Sequence, residues 1–161
     1  MTDWPDQKIC STALWYIEKA AMDPPTWRHT RIGKCHPEVS SRVQLQPGEL
    51  VVVSSFLSEA SWYLFTTRRI LGSYGGQVVE MVALDVLDFD FANFKGYGQL
   101  DILQDDFLKS CGEKETEVMT LRHVSGIEAR LEYETGRASM APIFYMRYWK
   151  IKFPIVDKLL P

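Results

Sequence analysis

His29, Cys35, His36 and Glu38 bring metal-capable side chains into one short stretch of the chain. A site needs two or more ligands on one face, and the stretch has neither a CxxC nor an HxxxH spacing to place them there, so no metal is expected. Cys111, followed by Gly112 in a polar segment, is the thiol best placed to react, yet no GxSxG or cysteine-protease context accompanies it. His123 ends an apolar run just before a turn and reads as an exposed or hydrogen-bonded side chain. Gly72, Gly75 and Gly76 fall between two strand-like runs rather than ahead of a helix, so they are turn residues and not a phosphate cradle. No cofactor is expected, and the protein reads as a non-enzyme. A small enzyme or ligand carrier using His29, Cys35, His36 and Cys111 is the alternative.

Charge gives a different candidate. Between Asp85 and Glu117 there are nine acids against three lysines, a net charge of −6. Asp85, Asp88, Asp90, Asp101, Asp105 and Asp106 are the candidate binding residues: an acidic surface steers a basic partner, as in immunity or antitoxin proteins that block cationic nucleases. The aromatic residues, among them Trp62, Tyr63, Phe65, Phe89 and Trp149, have no basic face beside them and read as core, so nucleic acid is not an expected partner.

These residues sit in a chain of 161 residues with net charge −3, 46% hydrophobic and 24% charged residues. That composition suits one domain, 1–161, with a core that needs no disulfide. The three cysteines are unpaired in pattern, the N-terminus carries Asp3 and Asp6, and no apolar run approaches the roughly 18 residues of a membrane span. A cytoplasmic protein without membrane insertion is expected.

The elements follow from periodicity. Ile9, Ala13, Ile17 and Ala20, widened by Leu14, Trp15 and Ala21, predict a helix from Asp6 to Met22, capped by Asp6 and stopped at Asp23-Pro24-Pro25. From Thr26 to Gly48 the pattern is weak, with one short strand around Trp27 to Lys34. Leu50 to Leu84 reads as three strands, Leu50 to Phe56, Trp62 to Leu71 and Gln77 to Leu84, with Gly72 to Gly76 reversing the chain. Leu87, Phe89 and Phe91 alternate with Asp88 and Asp90, Gln99 to Leu103 can form a further strand, and a helical turn can form over Asp106 to Ser110. Glu117 to His123 and Ile127 to Tyr133 make a hairpin, with Ile127, Ala129, Leu131 and Tyr133 inward. Ser139 is expected to cap a helix reaching Lys152, with Ala141, Phe144, Tyr148 and Ile151 on its buried face. The tail from Ile155 is apolar enough to dock on the body or on another subunit.

About seven strands in up-and-down order over 50–133, an N-terminal helix at 6–22 and a helix at 139–152 define an α+β fold: an antiparallel meander or partly open β-barrel plugged by its last helix. This order is similar to the pleckstrin-homology-like (PH-like) barrel, and Trp62-Tyr63-Leu64-Phe65-Thr66-Thr67-Arg68-Arg69 resembles the second-strand signature of bacterial members. Relatives that bind phosphoinositides place Lys and Arg in the first hairpin loop. Here that loop, Phe56 to Ser61, has Glu59 and no base, so no phosphoinositide is expected. The resemblance implies a protein- or peptide-binding module, with self-association through a sheet edge or the C-terminal tail as a further use of its surface.

Overall fold

The computed structural model describes residues 5–96 and 115–153. The expected strand at 99–103, the helical turn at 106–110, Cys111, Asp101, Asp105, Asp106 and the apolar tail lie outside the described residues.

Helix α1 (Asp6–Ala20) buries Ile9, Ala13, Tyr16 and Ile17. Trp15, expected on that face, is 57% exposed with the Lys19 ammonium 4.3 Å from its ring centre. Pro5, not Asp6, is the N-cap. The Asp6 carboxylate is engaged elsewhere, by Arg68 and Thr67, and a bidentate guanidinium outcompetes a helix amide.

A five-stranded antiparallel sheet follows, in the order β1 (Thr30–Ile32), β2 (Val51–Ser58), β3 (Ser61–Thr66), β4 (Arg69–Tyr74), β5 (Gln77–Val82). The short strand expected between Trp27 and Lys34 is β1. The run Trp62 to Leu71, expected as one strand, is two. Its turn is drawn by a side chain: Thr66 Oγ1 accepts the backbone N–H groups of Arg68 (3.0 Å) and Arg69 (2.9 Å). Apolar periodicity gives no boundary there because both faces of the sheet are covered. Tyr63, Phe65 and Ile70 face the main core, while Trp62, Leu64 and Leu71 pack against Val39 of the short helix α2 (Pro37–Ser40). The chain then reverses at Gly75-Gly76, both with positive φ, and Gly72 lies inside β4.

The second sheet has three strands, β6 (Val86–Asp90), β7 (Thr116–His123) and β8 (Glu128–Glu134). The meander is therefore divided: β5 and β6 are joined through the turn Ala83–Asp85 and are not paired, and the described residues form no closed barrel. Two expected inward residues are turned out. Leu87 is the extra residue of a bulge between the pairs Val86–His123 and Asp88–Arg122, which buries Val86 in its place. Ile127 lies just beyond the strand, at the hairpin tip, and is 66% exposed.

Strand β8 holds the two sheets together. Leu131 packs onto Gly72, the hydroxyl of Ser61 donates to Glu132 (2.6 Å), and Glu134 accepts the backbone N–H of Arg28 and of His29 and the hydroxyl of Thr30 at 2.8–2.9 Å. The end of the core is covered by helix α3 (Met140–Arg147), entered through a 3₁₀ turn Gly136–Ser139 and continued by a π-helical turn Tyr148–Lys152. Ser139 donates to the Gly136 carbonyl within that turn instead of capping the helix. The wider π turn shifts the phase, so Tyr148 and Trp149 are both buried and Ile151 is exposed. Tyr145 donates to the Thr66 carbonyl (2.7 Å), and the Tyr148 hydroxyl meets Thr12 of α1 (2.6 Å).

Candidate functional site: an open strand edge beside an apolar cleft

Strand β5 pairs only with β4, and its other edge is open among the described residues. Natural edge strands are blunted by Lys, Pro, bulges or shortness. None of these protects Gln77-Val78-Val79-Glu80-Met81-Val82: its register with β4 is continuous, Val78 is 81% exposed and Val82 is exposed. The opposite edge, β1, is three residues long and carries Arg31 at its centre.

Three connected clefts lie beside this edge. One of about 330 Å³ runs between β5 and the β7–β8 hairpin, with Met81, Val82 and Ile127 in its wall. A second of about 440 Å³ shares Arg69, Glu80 and Val82 with it and reaches Ile9, Leu84 and Trp149. A third of about 240 Å³ shares Leu84 and Trp149 and adds Leu87 and Val124. Val82, Leu87, Val124 and Ile127 are thus exposed apolar side chains along one connected surface.

Two ion pairs hold the cleft's shape. Arg69 is clamped by Glu49, Nε to Oε2 at 2.9 Å and Nη2 to Oε1 at 2.6 Å, with a further reach to Glu80 at 3.5 Å. Arg68 is clamped by Asp6, Nε to Oδ1 at 3.0 Å and Nη2 to Oδ2 at 2.7 Å. Burial pushes the Glu49 carboxyl up, but the Arg69 guanidinium and the Thr66 hydroxyl outweigh it and hold it below its usual range. The hydrogen bond from Arg68 holds Asp6 low against a smaller opposing effect of burial. Both cations are thereby spent; of the other charged residues on the cleft walls, Glu80 and Asp85 are acids and Lys150, in the third cleft, is a cation.

No family model, curated protein or solved structure matches the chain. Its site has to be read from its own geometry.

Of the expected binding residues, Asp85 lies in the turn before β6 and lines the cleft, and Asp88 is on β6. Asp88 does not present bare charge. Asp85 is 3.9 Å from His123 Nε2, and Asp88 is 3.5 Å from Arg122, which also approaches Glu128 at 3.8 Å. Asp90 accepts the backbone N–H of Ala92, a local turn contact. The Asp88–Arg122 pair is half exposed on both sides, so Asp88→Ala is expected to change stability by less than about 1 kcal/mol in a denaturant titration.

The N-terminal histidines are separately tied. His29 Nδ1 donates to the Phe56 carbonyl at 3.2 Å. Ser54 Oγ donates to the Lys34 carbonyl (2.7 Å) and therefore accepts from His36 Nδ1 (2.8 Å), which makes this pair a buried anchor and not an activated nucleophile. Burial, with Arg31 next, lowers the His36 pKa, so it is neutral near pH 7. Burial likewise raises the Cys35 thiol. Among the described residues no three His, Cys, Asp or Glu side chains converge to hold a metal, and no helix is long and apolar enough to cross a membrane. The sequence reading missed Glu49 and its pair with Arg69. The available signal was an acid set directly before the β-branched run Leu50 to Val53, where a carboxylate must find a partner.

Proposed function

We propose that this protein is a non-enzymatic binding module that takes an extended segment of a partner protein along the edge of β5. The unprotected edge with its exposed valines carries this reading. Main-chain groups of the partner would pair with β5, and its apolar side chains would enter the cleft beside Val82 and Ile127. Glu80 and Asp85, on the cleft wall, favour a segment that also carries Lys or Arg. The same charges disfavour a second copy of this chain, whose edge would bring Glu80 against like charge. An inhibitor of a cationic toxin is the special case in which the basic partner is a toxin, with association slowed by charge reversal at Asp85 and Asp88. The PH-like arrangement is part of the proposal: β2 to β8 supply seven strands ahead of one helix, and β1 and α1 are additions to that plan.

Selection of random peptides of about ten residues, enough to cover one strand, tests the proposal. Enriched peptides are expected to alternate apolar and basic residues, and the V82E/I127E variant should weaken them roughly ten-fold or more with unchanged melting, since both side chains are exposed. Peptides that bind the variant equally well would sink the proposal, and a dimer dissolved by the same substitutions would replace the partner with a second copy.

A further inference from the structure

A different cleft, about 740 Å³ and within the size range of small-molecule sites, runs beside β1 between the end of α1 and the Pro24–Thr26 turn. Arg28, Arg31 and Lys34 line it together with Trp27, His36 and Glu18. We propose that it binds a small phosphate monoester, with Arg31 and Lys34 as the phosphate ligands.

The argument rests on which cations are already satisfied. Arg28 is paired with Glu115 at 2.9 Å. Glu134, the nearby acid of β8, is occupied by the N–H groups of Arg28 and His29 and the hydroxyl of Thr30. Arg31 and Lys34 are exposed and have no carboxylate partner among the described residues, in a protein whose net charge is −3. Two unpaired cations lining one concave wall form a focused positive potential against the protein's overall charge.

Their backbones are also fixed, and by the same residue. Arg31 is in register with Ser54 on β2, and Ser54 Oγ donates to the Lys34 carbonyl at 2.7 Å. Between them Gly33, at φ +73°, donates its N–H to the Val52 carbonyl at 2.7 Å. The stems of both cations are therefore preorganised, which lowers the ordering cost of binding. The organic part of the ligand has partners too: Glu18 can accept from sugar hydroxyls, and the partly exposed Trp27 ring, held through Nε1 to the Met22 carbonyl (2.9 Å), offers a flat wall.

Calorimetric titration of the full chain with inorganic phosphate, the phosphate ester of ribose, AMP and adenosine tests this. Both esters are expected to bind and adenosine is not, and R31E/K34E should weaken the esters roughly ten-fold or more while the melting temperature holds. Tighter binding of AMP than of the ribose ester assigns a nucleotide stacked on Trp27, and equal binding assigns a sugar phosphate. The proposal is overturned if neither ester binds at millimolar concentration, if their binding survives R31E/K34E, or if inorganic phosphate alone binds as tightly as they do.

Discussion

Glu49→Ala is expected to cost about 3–5 kcal/mol, a large fraction of the stability of a domain this size. The Glu49 side chain is 0% exposed and that of Arg69 11%, so deletion leaves a largely buried guanidinium whose remaining carboxylate is the exposed Glu80 at 3.5 Å. The same substitution at the exposed Arg28–Glu115 pair should change stability by less than about 1 kcal/mol. Denaturant unfolding of the two variants makes the comparison. The pair also sets an acid dependence. Because the folded pKa of Glu49 lies below its ordinary 4.5, its contribution is complete above that pH and is lost as pH falls through the folded value. Asp6, lowered from 3.8, acts in the same direction. Glu49→Gln should therefore flatten the decline of stability below pH 4.5. An unchanged acid limb would show that the pair does not carry it.

Gly72→Ala is the second large effect, expected at about 1–3 kcal/mol through overpacking. A Cβ at this position would lie 2.5 Å from Leu131 Cδ2 and 2.7 Å from the Trp62 carbonyl oxygen. The leucine can swing aside, but the carbonyl belongs to the neighbouring strand and cannot. Strands β3 and β4 must then shift apart slightly at Trp62, with Leu131 of β8 displaced above them. Gly75→Ala is the control: nothing lies within 4 Å, but φ is +59°, so its cost of roughly 1–2 kcal/mol is backbone strain alone. A double-mutant cycle with Leu131→Ala separates the two mechanisms, because only Gly72→Ala should couple to Leu131. Additivity at Gly72 would place the cost on the Trp62 carbonyl alone.

The elements legible in the sequence are those with one wet face. Helix α1 and the β7–β8 hairpin alternate apolar and charged residues at their own period, and the structure places them within a few residues of expectation. The division of Trp62 to Leu71 into β3 and β4 was hidden because α2 covers the face that solvent would have marked. The bulge at Leu87 and the π turn at Tyr148–Lys152 shift phase by a single residue, which no periodic pattern contains. For the site, the acidic character of 85–90 was legible, but not the pairing of Asp88 with Arg122, which arrives from a strand some thirty residues later. The exposure of β5 was equally hidden. It depends on β6 leaving the sheet, a fact of topology and not of composition.

The grip of Glu134 on residues 28–30 has a consequence for synthesis. The partners are 104–106 positions apart, so β1 has no anchor on β8 until residue 134 has left the ribosome. Through that interval β1 is held by β2 alone, through their pairing and the Gly33 N–H to the Val52 carbonyl. Long-range closure of this kind is slow and exposes unpaired edges while it waits. The attachment of residues 28–30 to β8 is thus a late step, and loss of residue 134 would remove that attachment while leaving the pairing of β1 with β2 in place.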